Sequence, residues 1–502
     1  MSSSNLDPNP DEFRRWASAA LETVAEYLGS IRDRKLYPKT NAAAIRGRLS
    51  KELPTQPQAF EQVLTDFETV LLELSRHNAH PRMFGYVQSP GTGIAAIADL
   101  LASSLNANLT AWRSAPAAVE IERLTIDWIK QVVGYQVDAG GLFVSGGSIA
   151  NLAGLAAARS AKAPELRQSG ALGVGKRMCI YASHETHHSI DKAAILLGLG
   201  QESVRKIPVD EQDKIRLDEL VRAIEDDIAA GNLPFCVVAN AGTVMTGAVD
   251  PLEQISETAR RFNLWMHVDG AYGGFSMLSP KAKPLFAGIE QADSIALDPH
   301  KWLYIPVDCG CVLYRQPQFA RAAFALDADY TRVIGHEADE AFAFWDYGPE
   351  LSRRFRALKV WMVLRAVGIE GLGRAVENDL ACARHLEQLV SQSDNFEMMA
   401  PVELSIFCFR HLPNHLRESL KRADDKKRQE METEIDRWNE QLLIALQHDG
   451  SSYLSNASIN GRFCLRGCVI NYRTTLQDME ILLEDLRRVA ATLSQSVNDI
   501  NR

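Results

Sequence analysis

From about residue 140, short apolar runs of the chain alternate with segments of helical periodicity. The runs are rich in β-branched and aromatic residues, as at 178–182 and 235–240, and they predict strands buried on both faces. Helices between successive strands favour a mostly parallel sheet, because parallel neighbours need a long crossover connection. The pattern therefore predicts an α/β fold with functional side chains at the carboxyl ends of its strands. The predicted strands cover residues 141–145, 178–182, 235–240, 264–268, 293–297 and 310–315.

Both flanks of this region have a different pattern. Before it, apolar residues at helical spacing predict an amphipathic helix over 11–33 and a second helical segment over 57–76. After it, a long helix over 351–365, strand-like segments at 403–409 and 462–472 and a final helix over 476–494 indicate a smaller α+β unit. We therefore predict an N-terminal helical segment over 1–85, a large domain over 86–385 and a small domain over 386–502.

Composition excludes several classes of protein. The 502 residues are 46% hydrophobic and 24% charged, which is the balance of a globular chain. A net charge of −10 argues against a broad nucleic-acid-binding face. The sequence has no apolar run of about 18 residues, so we expect no membrane-spanning helix. The polar N-terminus lacks a signal pattern. Eight cysteines without a CxxC pair predict reduced thiols in a cytoplasmic protein.

Three elements of the predicted sheet carry chemistry in combination. Asp269 and Lys301 each follow a predicted strand, and the turn Gly146-Gly147-Ser148 joins a strand to a helix. Pyridoxal 5'-phosphate (PLP) needs a lysine for its aldehyde, a carboxylate beside its pyridine nitrogen and amide donors for its phosphate. The order and spacing of these elements predict a PLP site with Lys301, Asp269 and Gly147-Ser148 in those roles.

A second motif offers an alternative in another class of enzyme. The segment from His184-Glu185 to His188 satisfies the HExxH pattern of zinc hydrolases. That chemistry needs both histidines on one helix face. Because the segment directly follows a predicted strand, a zinc hydrolase is the remote alternative and we predict no metal.

The chain resembles the group II PLP decarboxylases, which act on aromatic amino acids, histidine or glutamate. The resemblance runs from the N-terminal helix to the final helix and rests on distinctive motifs. They are His80-Pro-Arg-Met-Phe84, Val144-Ser-Gly-Gly-Ser-Ile-Ala-Asn151, Gly242-Thr243, His267-Val-Asp-Gly-Ala-Tyr272, Asp298-Pro-His-Lys-Trp302 and Leu351-Ser-Arg-Arg-Phe-Arg-Ala-Leu-Lys359.

The resemblance implies an aminotransferase-like fold of type I, with a mostly parallel seven-stranded sheet. It also implies a homodimer whose active sites contain residues of both subunits. It gives His187 a place stacked on the cofactor ring and Ala271 a place beneath it. His300 and Ser148 are implied as phosphate contacts, and Thr243 lies in a turn near the cofactor.

The resemblance also suggests the reaction and the substrate. Tyr330 matches a loop tyrosine that protonates the substrate carbon after decarboxylation, and His187 is a second candidate. The predicted reaction converts an L-amino acid, aromatic or imidazole-type, to its amine and carbon dioxide. Alternatives are an aldehyde synthase on the same scaffold and a decarboxylase of glutamate or aspartate. The predicted substrate pocket consists of Tyr86, Val87, Ser352 and, from the partner subunit, Thr110 and Trp112.

Two positions differ from what the resemblance leads us to expect. Asp298 stands where the aromatic decarboxylases often have asparagine, and a carboxylate there would repel a phosphate. Val244 replaces a second threonine after Thr243. Arg113 is a candidate contact for an acidic substrate, although we expect it at the surface.

Overall fold

The computed structural model describes residues 6, 8–170, 173–326, 340–420 and 424–500. Within these ranges the strands form two sheets. Strands β1 to β7 belong to the larger sheet and β8 to β11 to the smaller one. In chain order they are Gly140–Val144, Met178–Ser183, Val204–Ile207, Leu233–Asn240, Trp265–Gly270, Ser294–Leu297, Gly310–Tyr314, Phe396–Met398, Ile406–His411, Ser455–Ile459 and Arg462–Cys468.

The larger sheet has seven strands in the order β1-β7-β6-β5-β4-β2-β3. Neighbours from β6 to β3 are parallel, whereas β7 pairs antiparallel with both β6 and β1. The predicted α/β class and the mostly parallel seven-stranded sheet are therefore confirmed. All six predicted strands are present. The seventh, Val204–Ile207, lies at the sheet edge and carries Arg205 and Lys206, so it has no apolar run to reveal it.

The described helices, α1 to α16, include those that pack on both faces of the larger sheet and those that pack beside the smaller one. In chain order they are Pro10–Gly29, Ala42–Arg48, Phe60–Asp66, Gly93–Leu105, Pro116–Val133, Gly147–Lys162, Leu166–Ser169, Ser189–Leu196, Leu217–Ala229, Leu252–Arg261, Pro299–Trp302, Pro317–Phe324, Ala357–Ser391, Asn414–Leu420, Asp425–Asp449 and Leu476–Ile500. None of the described helices is long and apolar enough to cross a membrane.

The smaller sheet is antiparallel, in the order β10-β11-β9-β8. Its core includes Phe407 and Leu465 from the strands and Leu442 and Leu482 from α15 and α16. This core also takes in Phe84, and the larger core reaches into β9 and β11. The two sheets therefore pack against each other through these core residues. The domain boundaries predicted after residues 85 and 385 stay predictions.

Candidate active site

A cavity of about 650 Å³ opens where the carboxyl ends of the central strands meet the smaller sheet. The parallel strands deliver residues at this edge because β4, β5 and β6 all end there. The predicted cofactor residues lie together around this cavity. Its walls include Tyr86, Val87, Gly147, Ser148, Asn151, His187, Thr243, Met245, Asp269, Ala271, Asp298, His300, Lys301, Ser455, Asn456 and Arg466.

Lys301 enters the cavity from the short helix α11, directly after β6. Its Nζ lies 2.9 Å from Asp298 Oδ2, and its side chain is 17% exposed. A lysine that is largely buried yet reaches a cavity is placed to react with a carbonyl compound bound there.

Asp269 stands at the end of β5 and is held by two donors. Its Oδ1 accepts a 3.2 Å hydrogen bond from the backbone N–H of Ala271, and its Oδ2 accepts one of 2.8 Å from Asn151 Nδ2. The side chain therefore has a fixed orientation in the cavity wall. A carboxylate held in this way favours a protonated nitrogen placed against it.

The orientation of Asn151 is itself set by a buried chain of side chains. Its Oδ1 lies 2.9 Å from Nε2 of His267, and Nδ1 of His267 lies 2.7 Å from Oγ of Ser294. Trp265 donates a hydrogen bond to the same hydroxyl. Because the Asn151 amide nitrogen already donates to Asp269, the network assigns the His267 proton to Nε2. Burial lowers the pKa of His267 to about 4, so the ring stays neutral in this arrangement.

His187 lies at the edge of the cavity, in the turn between β2 and α8. Its Nδ1 is 2.8 Å from Ser189 Oγ and accepts a 3.2 Å hydrogen bond from the backbone N–H of Ser189. Asn151 Nδ2 donates to the same hydroxyl at 2.8 Å. Desolvation lowers the pKa of His187, although nearby Asp269 opposes this shift. The neutral ring therefore carries its proton on Nε2, away from Ser189.

The turn before helix α6 provides an anion cradle. The first amides of a helix have no partner within it and point outward with partial positive charge. A Cβ built on Gly147 would lie 2.8 Å from Ala271 Cβ and 3.0 Å from Asp298 Oδ2, so only glycine fits this position. Ser148 is exposed beside it and lines the cavity. The Gly147-Ser148 turn thus offers backbone donors without a side chain in the way.

His300 and Thr243 complete the predicted cofactor residues. Nδ1 of His300 donates a 2.7 Å hydrogen bond to the carbonyl of Cys309, and burial lowers the pKa of the ring. The hydroxyl of Thr243 is 3.1 Å from that of Thr246 and accepts from the backbone N–H of Ala248. Thr243 therefore stabilises its own turn, whereas Val244 beside it is 37% exposed.

Arg466 is a cavity residue that the sequence interpretation missed. It is 4% exposed, and its guanidinium donates to the carbonyls of Val244 and Met245. A third donor, Nη1, lies 3.3 Å from the carbonyl of Tyr86. Arg466 thereby joins the smaller sheet to two loops of the cavity wall. An arginine inside a strand segment gave no signal that it would face a site in another part of the fold.

The predicted substrate residues fall into two groups. Tyr86 and Val87 line the cavity, whereas Thr110, Trp112 and Ser352 are not among its lining residues in a single subunit. The segment around Thr110 instead pairs with residues 342–344, since Phe344 N–H donates to the Thr110 carbonyl and Trp112 N–H to that of Phe342. Arg113 is exposed. Tyr330 lies outside the described residues.

The HExxH segment forms a turn rather than a helix. Residues 184–188 connect β2 to α8, so His184 and His188 do not share a helix face. His188 instead faces Asp191 at 3.6 Å. Within the described ranges, no cluster of three or more histidine, cysteine or acidic side chains has metal-binding geometry. This geometry disfavours the zinc alternative.

The cavity fits PLP on the chemistry of its side chains. Lys301 is a primary amine at the cavity, Asp269 is a fixed carboxylate, and the Gly147 turn is a cradle that any Cβ would fill. Each group matches one requirement of the cofactor: its aldehyde, its pyridine nitrogen and its phosphate. Fold and site together define a PLP enzyme of fold type I.

Comparison with known proteins identifies the family. Residues 43–412 match the model of the pyridoxal-dependent decarboxylase conserved domain. The chain is 31% identical over 494 residues to an aromatic-L-amino-acid decarboxylase of Bacillus atrophaeus, covering 98% of each chain. It is 29% identical to a phenylacetaldehyde synthase of Petunia hybrida, covering 92% of this chain and 90% of that one. The chain belongs to the pyridoxal-dependent decarboxylase family and is a PLP-dependent carboxy-lyase of amino-acid metabolism.

A solved structure agrees with this assignment. The crystal structure of Oryza sativa TDC with PLP and tryptamine superposes with a TM-score of 0.89 at 28% identity. The match covers 97% of this chain and all of that one. The fold and cofactor predicted from the sequence are therefore confirmed.

Proposed function

We propose that this protein decarboxylates an aromatic L-amino acid, with Lys301, Asp269, His187 and Tyr330 as its catalytic residues. The observation that carries the proposal is the cavity itself, where Lys301 and the fixed carboxylate of Asp269 lie beside an apolar wall that includes Val87 and Met245. The relatives named aromatic-L-amino-acid decarboxylase support the same substrate class.

When bound, PLP supplies an electron-withdrawing ring that makes the bond to the α-carboxylate of the substrate breakable. The protein's own residues prepare that ring. Lys301 would hold the cofactor through its Nζ. Asp269, held by Asn151, would favour a positive charge on the pyridine nitrogen. The Gly147-Ser148 turn would hold the phosphate, and His300 would donate to it only when its Nε2 is protonated. Ala271 would pack against the cofactor ring, and Thr243 fixes the adjoining turn.

A proton must reach the α-carbon after carbon dioxide leaves. Tyr330 is the proposed donor, by its resemblance to the loop tyrosine of the family. His187 is the second candidate, because its Nε2 proton faces away from Ser189. A side chain at the site that donates this proton makes the reaction independent of a proton from bulk water.

The substrate class can be tested with a panel of L-amino acids. We expect carbon dioxide release from tryptophan, tyrosine, phenylalanine or their hydroxylated forms. Release only from histidine would contradict the aromatic class and favour the imidazole-type substrate that the sequence also allowed. Release only from glutamate or aspartate would contradict the proposal. The geometry favours an aromatic substrate over an acidic one. The guanidinium of Arg466 in the cavity wall already donates to the carbonyls of Val244 and Met245, so it is not open to pair with an acidic side chain.

An aldehyde synthase is the second candidate function. The similarity to a phenylacetaldehyde synthase supports it. Such an enzyme would consume oxygen and release aldehyde and hydrogen peroxide in place of amine. Product analysis by mass spectrometry, with a peroxide assay, separates the two. Amine as the main product would support the decarboxylase.

We further propose that the protein is a cytoplasmic homodimer. Helix α4 exposes Leu100, Leu101 and Leu105 by 56%, 49% and 64%, which is an apolar face for a partner subunit to cover. The same dimer would bring Thr110 and Trp112 to the partner's cavity. All eight cysteines are free and buried, as suits a reducing compartment. Light scattering that gives the mass of a monomer would contradict the dimer.

A further inference from the structure

The carboxylate of Asp298 is buried in the cavity wall with one oxygen engaged and the other without a partner. Oδ2 lies 2.9 Å from Lys301 Nζ, and the side chain is 3% exposed. Oδ1 has no hydrogen-bond partner among the described residues. Asp298 is the N-cap of α11, yet its side chain accepts from none of that helix's amides. A buried carboxylate with so few bonds depends on a neighbouring cation.

Lys301 is that cation. A second base, His300, has its Nε2 3.5 Å from Asp298 Oδ2. His187 also lies close enough to feel the charge of Asp298, but burial lowers its pKa, which favours its neutral form. Because Nδ1 of His300 donates to the Cys309 carbonyl, Nε2 carries no hydrogen while the ring is neutral. Burial lowers the pKa of His300, which favours the neutral ring. Asp298 is therefore neutralised chiefly by the amine that must bind the cofactor.

The same carboxylate faces the anion cradle. Oδ2 of Asp298 would lie 3.0 Å from a Cβ built on Gly147, so it stands beside the turn whose amides are free to bind a phosphate. A phosphate bound at this turn and the carboxylate of Asp298 would repel each other, and because the carboxylate is buried, water screens the repulsion only weakly.

We propose that Asp298 is a positioning residue that holds the amine of Lys301 before the cofactor arrives and weakens retention of the cofactor afterwards. On capture a C=N bond forms at Nζ and the aldehyde C=O bond breaks. The oxygen leaves as water with two of the three ammonium hydrogens. The nitrogen keeps one hydrogen. Asp298 therefore loses two of the three hydrogens that Lys301 Nζ could donate to it, while a phosphate binds beside it. The inference rests on the proposed role of Lys301 as the attachment site.

Titration of the full-length apoenzyme with PLP tests the proposal. The visible absorbance of the attached cofactor gives a dissociation constant without any measurement of turnover. Asp298→Asn keeps the shape and removes the charge, so we expect it to bind PLP about tenfold more tightly than the wild type. Asp298→Ala is expected to change the constant in the same direction. An unchanged or weaker affinity in Asp298→Asn, with a native circular dichroism spectrum, would overturn the proposal.

Two controls separate this effect from others. Asp293→Asn makes the same chemical change at the opposite end of β6, where the carboxylate pairs with Arg315, and should leave PLP affinity unchanged. If it tightens binding as much as Asp298→Asn, the effect is one of net charge and the proposal fails. Borohydride reduction followed by peptide mapping shows separately whether Lys301 carries the cofactor. Attachment at another lysine would refute the role of Lys301, whatever the affinities.

Discussion

The amide of Asn151 donates a 2.8 Å hydrogen bond to Asp269, the carboxylate proposed to face the pyridine nitrogen. The same amide nitrogen donates to Ser189, which contacts His187. One side chain therefore orients both Asp269 and His187, the two residues proposed to contact the cofactor ring. Asn151→Ala should reduce kcat by about tenfold or more, because Asp269 loses a donor and its fixed orientation. Steady-state kinetics on the PLP-saturated enzyme measures this. The control is Asn232→Ala, which removes an amide donor from a carboxylate, Asp227, outside the cavity. Equal effects of both replacements would contradict a special role for Asn151.

Stability should fall as the pH drops below neutrality, and His267 should account for part of the loss. Burial lowers its pKa from 6.5 to about 4, so between these values the unfolded chain binds a proton that the folded chain does not. The free energy of unfolding therefore rises with pH across this window, by up to about 3 kcal/mol for this group. Denaturant melts of His267→Asn should show a shallower dependence between pH 6.5 and 4. An unchanged slope would mean that His267 is protonated in the folded state.

Replacement of Tyr330 by phenylalanine tests the proposed proton donor. We expect PLP to bind with its normal absorbance, whereas amine formation falls by about a hundredfold, as for the loss of a general acid. Product analysis under oxygen shows whether aldehyde replaces the amine. Unchanged turnover in Tyr330→Phe would transfer the role to His187, which His187→Gln then tests.

Asp379 is a buried carboxyl that should be neutral in the folded protein. Burial raises its pKa well above the usual value, and its Oδ2 accepts hydrogen bonds from Tyr304 and from the backbone of Asn471. Asp379→Asn keeps an acceptor for both and should change the free energy of unfolding by less than about 1 kcal/mol. Asp379→Ala leaves two buried donors unpaired and should cost about 2 kcal/mol or more. If Asp379→Asn lost as much stability as Asp379→Ala in denaturant melts, the carboxyl would be ionised in the folded protein.

Gly310 should tolerate no side chain, because its strand passes directly behind the anion cradle. A Cβ there would lie 2.5 Å from the Cα of Gly146. Gly310→Ala must displace the cradle, so we expect about 2 kcal/mol of lost stability and weaker PLP binding. Gly47→Ala is the matched control, since nothing lies within 4 Å of a Cβ built in that helix. Normal PLP affinity in Gly310→Ala would contradict this expectation and show that the backbone around Gly146 can shift to accommodate the methyl group.

The parts of the fold with a strong local pattern could be predicted from the sequence. The central strands are apolar runs next to helices, so their existence could be predicted. Val204–Ile207, Phe396–Met398 and Ser455–Ile459 were missed because short, edge or one-sided strands of mixed polarity have weak patterns. The helix expected over 351–365 instead begins at Ala357 and ends at Ser391. It is kinked at Gly368, whose φ of 72° is not helical.

For the candidate site, residues in motifs were easier to find than residues that act across the fold. Lys301 and Asp269 follow strands whose ends meet, so spacing alone indicated them. Arg466 reaches the cavity from the smaller sheet, and Asp379 bonds to Tyr304 across 75 residues of chain. Such contacts depend on tertiary packing, which local patterns do not encode.

The cavity is shared by both sheets, since Ser455 and Arg466 of the smaller sheet line it together with Lys301. The site is therefore not contained in either sheet alone. A fragment that ended before residue 386 would carry Lys301, the proposed attachment lysine, but lack the cavity wall formed by Ser455 and Arg466. It would also expose apolar surface from the larger core. Chimeras between relatives with different substrates should accordingly exchange the two sheets together, with crossovers placed in the N-terminal helices.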